Sequence, residues 1–353
     1  MGTTHATPAP FQVGPRATAT PGLIEVVRTA WHLGEVTEIV DLGGTYNLNL
    51  RLRIERGNIV LRVYRPWVRP DRLAFVQSVR DGLRNHGLPV ETALPTAEGS
   101  RSITSDHRLL EVESWWPDDG GTDSATRNVA AAGLLGRLHT ALRATGSELP
   151  LVAAPVSNAL SPTDFDGWLA RTVRTITDVP GSDATARALR ACRDVASIAR
   201  DARHITRPAL PRQLVHGDYG HGNVRFSGDT PSMIVDFDFL DTGERIVDLA
   251  DLAFGPHWMA PFGQLDRPPA DRDWDAVARL IRQYDAASEE PLSDDEIAAL
   301  PVAMAMVPLT WVAASWLQTD AVAAVNLVAP ELTTAAWLLR HRGDLARIWS
   351  RGR

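Results

Sequence analysis

The sequence predicts an α+β chain in two lobes, a small antiparallel sheet followed by a mostly helical lobe. Three observations carry this expectation. A chain of 353 residues is long enough to bury two separate cores. Strand patterns follow one another between residues 36 and 64, joined by short glycine-containing turns. From residue 125 onward, apolar residues recur mainly at helical spacing. The expected division is a disordered tail over 1–21, an N-terminal lobe over 22–116 and a C-terminal lobe over 117–353.

Taken in order, Gly22–Trp31 reads as an amphipathic helix on the first lobe. Val36–Leu42 is a β-branched strand that runs into Gly43-Gly44-Thr45-Tyr46-Asn47. Asn47–Ile54 alternates polar and apolar as a half-buried strand does, Arg56-Gly57-Asn58 turns the chain, and Ile59–Tyr64 is the next strand. Pro70–Gly87 opens near a proline and closes on a glycine, the punctuation of a helix. His107–Pro117 is an apolar strand ending in Trp115 and Trp116, and Asp118-Asp119-Gly120-Gly121 marks the lobe boundary. In the second lobe, Leu134, Leu135, Leu138 and Leu142 share one face of a helix over 125–145, where His139 reads as a packing or surface residue. Helical patterns follow over 164–177 and 184–204, and the chain after Phe254 is mostly helical.

Composition narrows the chemistry. Hydrophobic content of 44% and charged content of 22% are those of an ordinary soluble protein. A net charge of −7 and a pI near 5.8 argue against nucleic acid as partner. They suit an acidic pocket for a cationic substrate, or simply a mildly acidic surface. No lysine occurs anywhere, which excludes a Walker A phosphate loop and any lysine Schiff base. The lone cysteine, Cys192, has no disulfide partner and reads as a core thiol on a helix. Met1–Pro21 has no hydrophobic segment of the kind a targeting signal needs, so the expected location is cytoplasmic. Ile297–Gln318 is uncharged and long enough to cross a bilayer. Pro301 and Pro308 interrupt it, and acids rather than arginines flank it, so a buried pair of helices is expected and no membrane partner.

The most informative stretch is Leu214-Val-His-Gly-Asp-Tyr-Gly-His-Gly-Asn223, followed by Ile234-Val-Asp-Phe-Asp238. Phosphoryl transfer asks a protein to position a hydroxyl and neutralise developing charge. Asp218 stands where it can hold or deprotonate a hydroxyl. Asn223 and Asp236 offer hard oxygen ligands for Mg²⁺, which binds nucleotide phosphates as well.

His-Gly-Asp with Asn five residues after the Asp, and then Asp-Phe-Asp, resembles the aminoglycoside phosphotransferase / choline kinase superfamily. Protein kinases carry Arg where Gly217 stands and Gly where Asp238 stands, so the likeness is to small-molecule kinases. It implies a bilobal protein-kinase-like fold, ATP or GTP with Mg²⁺ as cofactors, and a small-molecule hydroxyl as substrate. Asp218 is then the catalytic residue, with Asn223 and Asp236 as metal ligands. Gly43, Gly44, Thr45, Asn47 and Arg62 become nucleotide contacts, with Arg62 in the slot of the usual strand lysine. Backbone groups around Glu113 to Trp115 would meet adenine, although two adjacent tryptophans also suit core packing. His216 and Asp248 would brace the loop; Asp238 would do the same or act as an accessory metal ligand. Asp241, Trp258 and Asp266 are substrate candidates. The helix over 70–87 often offers a Glu to the strand lysine in the resembled family; here Val76 and Gln77 stand near that place. An antibiotic or other natural product is the first expectation for the substrate, and homoserine, choline or a related amino alcohol the second. A non-catalytic nucleotide-binding protein of the same fold is the reading from another class.

Overall fold

The structure is a computed structural model that describes residues 16–44, 46–154, 162–205, 209–220, 222–258 and 267–351. The chain divides into two compact units. The first runs to Gln77 and resumes over Thr92–Trp115; the second holds Ser78–Glu91 and everything from Trp116.

The first unit opens with helix α1 (Pro21–Ala30), whose Thr20 cap accepts from the Leu23 amide at 3.2 Å. Strands β1 (Val36–Asp41), β2 (Leu48–Ile54) and β3 (Gly57–Val63) follow as antiparallel hairpins. Helix α2 (Pro70–Asn85) then leads to β4 (Ile103–Ser105) and β5 (Arg108–Ser114), giving the order β1-β2-β3-β5-β4. Period-two alternation sorts the faces. Leu48, Leu50 and Leu52, Ile59, Leu61 and Val63, and Leu110 and Val112 are buried in one cluster with Val27 and Trp31. The other face receives Asn49, Arg62 and Glu111, which are register partners across β2, β3 and β5. Strand β4 has no counterpart in the sequence reading. Residues 16–21, expected in a disordered tail, are placed: Arg16 makes a two-pronged ion pair with Asp41, and Ala17 packs on the apolar cluster.

The second unit begins inside α2. Arg80 pairs with Glu91 at 3.3 Å and the Ile234 amide donates to the Pro89 carbonyl at 2.7 Å, which joins this segment to the C-terminal unit. Helices α3 (Ala125–Gly146), α4 (Pro162–Thr177) and α5 (Asp183–Arg203) come next, with Ser124 and Ser182 capping α3 and α5. Buried Cys192 lies on α5, and burial pushes its thiol up to about 11. Four short strands follow: β6 (Arg212–Val215), β7 (Val224–Ser227), β8 (Thr230–Ile234) and β9 (Asp241–Glu244), paired as β6–β9 and β7–β8. The rest is helical: α6 (Ile246–Trp258), α7 (Asp275–Ala287), α8 (Asp294–Ala313), α9 (Ala321–Val328) and α10 (Leu332–Ser350).

The expected helix pair around Pro301 and Pro308 is instead the single helix α8 with both prolines inside it. A proline in a helix interior costs about 3 kcal/mol in isolation, which burial of an apolar helix on most sides outweighs. Two stretches, Asp294–Leu317 and Ala321–Ser350, are long and apolar enough to cross a membrane; 78% of the first one's apolar window is buried among its neighbours. Its start is set by a capping box in which Ser293 and Glu296 exchange bonds. The same Glu296 carboxylate takes Arg245 Nε at 2.6 Å and Nη2 at 2.9 Å. Thus the turn between β9 and α6 is tied to the head of α8.

Candidate active site

The loop joining β6 to β7 carries His216, Gly217, Asp218 and Asn223. Asp248, in the first turn of α6, holds its start: Oδ2 accepts the His216 amide at 2.7 Å and Oδ1 the Gly217 amide at 2.8 Å. His139 Nε2 donates to the same carboxylate at 2.9 Å, and the Tyr284 hydroxyl lies 2.8 Å from Nδ1. Burial opposes the charge of Asp248, but these donors and the nearby imidazoles hold its carboxyl below the usual range. His139 is therefore packed as expected, and it also orients the residue that orients the loop.

His216 is fully buried. Its Nε2 donates to the Val235 carbonyl at 3.1 Å, and its ring lies 4.6 Å from that of Phe237. Burial lowers its pKa, against the pull of Asp248 and Asp236. Gly217 has φ +80°, and a Cβ there would run into the Phe239 carbonyl oxygen. Only glycine meets both demands, so the residue that separates this loop from the His-Arg-Asp type is required by local geometry.

Beyond Gly217, Asn223 Nδ2 donates to Asp218 Oδ2 at 2.9 Å and to the Asp218 carbonyl at 2.8 Å. That leaves Asn223 Oδ1 as an acceptor. The β7–β8 hairpin extends one residue further, with the Val235 amide donating to the Asn223 carbonyl at 2.9 Å, so Asn223 lies across from the residue before Asp236. Asp236 itself sits at φ 67°, ψ 63°, a left-handed conformation rare outside glycine. Such strain collects at functional positions. Burial first, then the charge of Asp236, pushes Asp218 up to about 7, with smaller contributions from Asp248 and Asp238.

This concentration of negative charge is the main argument that the residues fit a divalent cation. Asn223 and Asp236 are hard oxygen donors on adjoining chain segments. Among the described residues no three His, Cys, Asp or Glu side chains gather into a protein-only metal site. Two protein ligands are nevertheless enough for Mg²⁺, which completes its shell with water and phosphate.

Asp251, absent from the sequence reading, lies one helical turn beyond Asp248 on α6 and is 8% exposed. Burial, then Asp218 and Asp248, raise its pKa well above the usual carboxylate range. A helix-spacing reading of Asp-Leu-Ala-Asp251 from Asp248 would have found it. Asp241 opens β9 opposite Val215, and its carboxylate accepts the Thr242 amide at 2.8 Å. Asp238 is half-buried in the short helical turn after Asp236. Trp258 ends α6 but its side chain, like Asp266 and Thr45, lies outside the described residues.

In the first unit, Gly43 and Gly44 have φ +83° and +107° and form an exposed turn. The Gly43 amide donates to Asp41 at 2.8 Å, and its carbonyl accepts from Arg16 and Asn49. Asn47 is buried, and its Oδ1 takes the Arg65 amide at 3.1 Å, tying the entry of β2 to the exit of β3. Arg62 is buried on the polar face of the sheet. Glu113 is buried on β5, and Arg51 lies over the half-buried Trp115 ring at 5.7 Å.

The phosphotransferase enzyme family matches residues 38–289, more than half of the sequence. The chain belongs to this family. A homoserine kinase of Gluconacetobacter diazotrophicus is 27% identical over 285 residues, 80% of this chain and 81% of the relative. Among solved structures, a microcompartment-associated aminopropanol kinase superposes with a TM-score of 0.64 at 17% identity, covering 92% of this chain and 98% of its own. An amicoumacin kinase in complex with AMP-PNP and Ca²⁺ gives 0.63 at 15% identity, covering 88% and 92%. The fold is the protein-kinase-like one, and the chain is a small-molecule kinase that takes an alcohol group as acceptor.

Proposed function

We propose that this family member is an ATP- and Mg²⁺-dependent O-phosphotransferase whose acceptor is a small alcohol bearing an amino group. The observation that carries the reading is the Asp218–Asn223 pair beside Asp236, held by Asp248 through two backbone amides. Asp218 orients the acceptor hydroxyl and receives its proton; a carboxyl pushed up to about 7 is matched to that task near neutral pH. Asn223 and Asp236 hold the metal, which when bound neutralises charge on the transferring phosphoryl group. Arg62 and the Gly43–Gly44 turn are the nucleotide-phosphate contacts proposed for the first unit. Arg62 is a permanent, planar cation where lysine would be a point charge.

Two observations support an amine-bearing acceptor. Asp251 adds a second buried carboxyl near Asp218, a setting in which an ammonium group would offset the cost of ionisation. The curated relatives include homoserine kinases, and a solved structure of similar fold is an aminopropanol kinase. The antibiotic reading keeps the support of the amicoumacin kinase fold.

The test is Mg²⁺-dependent ADP release from ATP, with GTP as competitor, against homoserine, 1-amino-2-propanol, choline, ethanolamine and a set of aminoglycosides. Stimulation by an amino alcohol that is lost in Asp218→Ala supports the proposal. Stimulation only by aminoglycosides or other antibiotics transfers it to a resistance or biosynthetic kinase. Mg²⁺·ATP binding with no stimulated release by any acceptor would favour the non-catalytic reading.

A further inference from the structure

We propose that Glu111, on β5, positions Arg62 for its nucleotide phosphate. It would take the part that a glutamate on the neighbouring helix plays when the strand cation is lysine. The inference rests on the reading of Arg62 as a phosphate contact.

Arg62 on β3 is paired with Glu111 on β5, and antiparallel partners project from the same face with Cβ atoms about 4.5–5.5 Å apart. The opposite face is the leucine-rich one that packs on α1, so neither side chain can turn over without burying a charge in that core. Both residues are deeply buried, Arg62 with a small exposed remainder: Arg62 is 5% exposed and Glu111 0%. Charges buried this deeply are retained where an opposite charge lies beside them.

The surroundings of Glu111 fit a carboxylate kept as a counter-charge. One oxygen accepts the Tyr64 hydroxyl at 2.5 Å and the other accepts Gln77 Nε2 at 2.9 Å. Both donors are neutral, so they fix the carboxylate without cancelling its charge. Tyr64 serves twice, because its ring centroid lies 5.3 Å from the Arg62 guanidinium carbon while its hydroxyl anchors Glu111. Gln77 comes from α2, the helix that lacks the glutamate. A glutamate at that position would face the Glu111 carboxylate and repel it, whereas an amide donates to it. The missing helix carboxylate and the present strand carboxylate are therefore two sides of one arrangement.

The experiment measures affinity for Mg²⁺·ATP and for adenosine by calorimetry on the full chain, so no acceptor is needed. Arg62→Gln is the control for the underlying reading: it should weaken Mg²⁺·ATP and leave adenosine unchanged. Glu111→Gln keeps the shape of the side chain and removes its charge. It should weaken Mg²⁺·ATP about tenfold, the order of one charge-assisted contact, with adenosine again unchanged. The double variant Glu111→Gln/Gln77→Glu moves the carboxylate onto α2 and should recover most of the lost ATP affinity. Tyr64→Phe, which removes only the hydroxyl anchor, should show a smaller loss of the same kind and serves if Glu111→Gln does not fold. If Arg62→Gln has no effect, the phosphate role of Arg62 is wrong and the inference goes with it. If Arg62→Gln weakens ATP but Glu111→Gln does not, or weakens adenosine equally, Glu111 is only structural and the inference alone is overturned.

Discussion

Asp218→Asn should disable the enzyme and stabilise its ligand-free form at neutral and alkaline pH. In the folded chain the carboxyl is pushed from 3.8 to about 7 by burial and by Asp236. Because the folded pKa is the higher one, the folded state keeps its proton between about pH 4 and about pH 7 while the unfolded chain has lost it. Stability therefore falls as pH rises through that window, and the penalty is complete above about 7. About three units at 1.36 kcal/mol each set a ceiling near 4 kcal/mol. Asp218 retains some solvent contact, which screens the penalty, and the amide forfeits a charge-assisted bond from Asn223 Nδ2. A net gain of about 1–2 kcal/mol remains for the variant at pH 8, and roughly none at pH 4. The assay is thermal or urea unfolding in EDTA at pH 5 and pH 8, wild type beside variant, with kinase activity recorded separately. The variant's advantage should grow between the two pH values, and phosphoryl transfer should drop about 10²- to 10⁴-fold. A variant less stable than wild type by the same amount at both pH values would refute the reasoning, since Asp218 would then be a structural hydrogen-bonding residue rather than a strained acid.

Asp236→Asn should raise the Mg²⁺ concentration needed for half-maximal activity while leaving the melting temperature within a few degrees, checked by Mg²⁺ titration of turnover. Asp248→Asn should cost about 3 kcal/mol in urea unfolding, because it removes the charge that the two loop amides and His139 address. Activity should fall with it even in the folded fraction. Arg245→Ala leaves Glu296 buried without its guanidinium, and a loss of about 3–5 kcal/mol is expected by the same measurement.

The sequence made some parts of this molecule legible and hid others for identifiable reasons. Strands β1, β2, β3 and β5 follow from local alternation and turn residues, and α1 to α5 fall within a few residues of their expected bounds. Asp218, Asn223 and Asp236, the residues proposed for proton transfer and metal binding, could be singled out because they lie on one short stretch whose spacing suggests its own chemistry. His139 could not, because its link to Asp248 joins α3 to α6 and depends on packing. Glu111 was hidden for a related reason: it faces Arg62 only through the register of β3 against β5, which no local pattern encodes. The helix broken in expectation at Pro301 and Pro308 shows tertiary burial overriding backbone propensity. The expected tail ended too late because Arg16 is recruited by Asp41, a partner on a strand that had yet to form.

The close approach of Gly217 to the Phe239 carbonyl makes the two halves of the signature interdependent. The loop can come so near only because position 217 has no side chain, and the turn after Asp236 lies where it does only because that space is open. An arginine introduced at 217 to imitate a protein kinase would have to displace the segment that presents Asp236. Grafting between the two kinase types would therefore have to move the 216–223 loop and the 234–240 turn together as one cassette, and a chimera that exchanges either alone should fold poorly or lose its metal response.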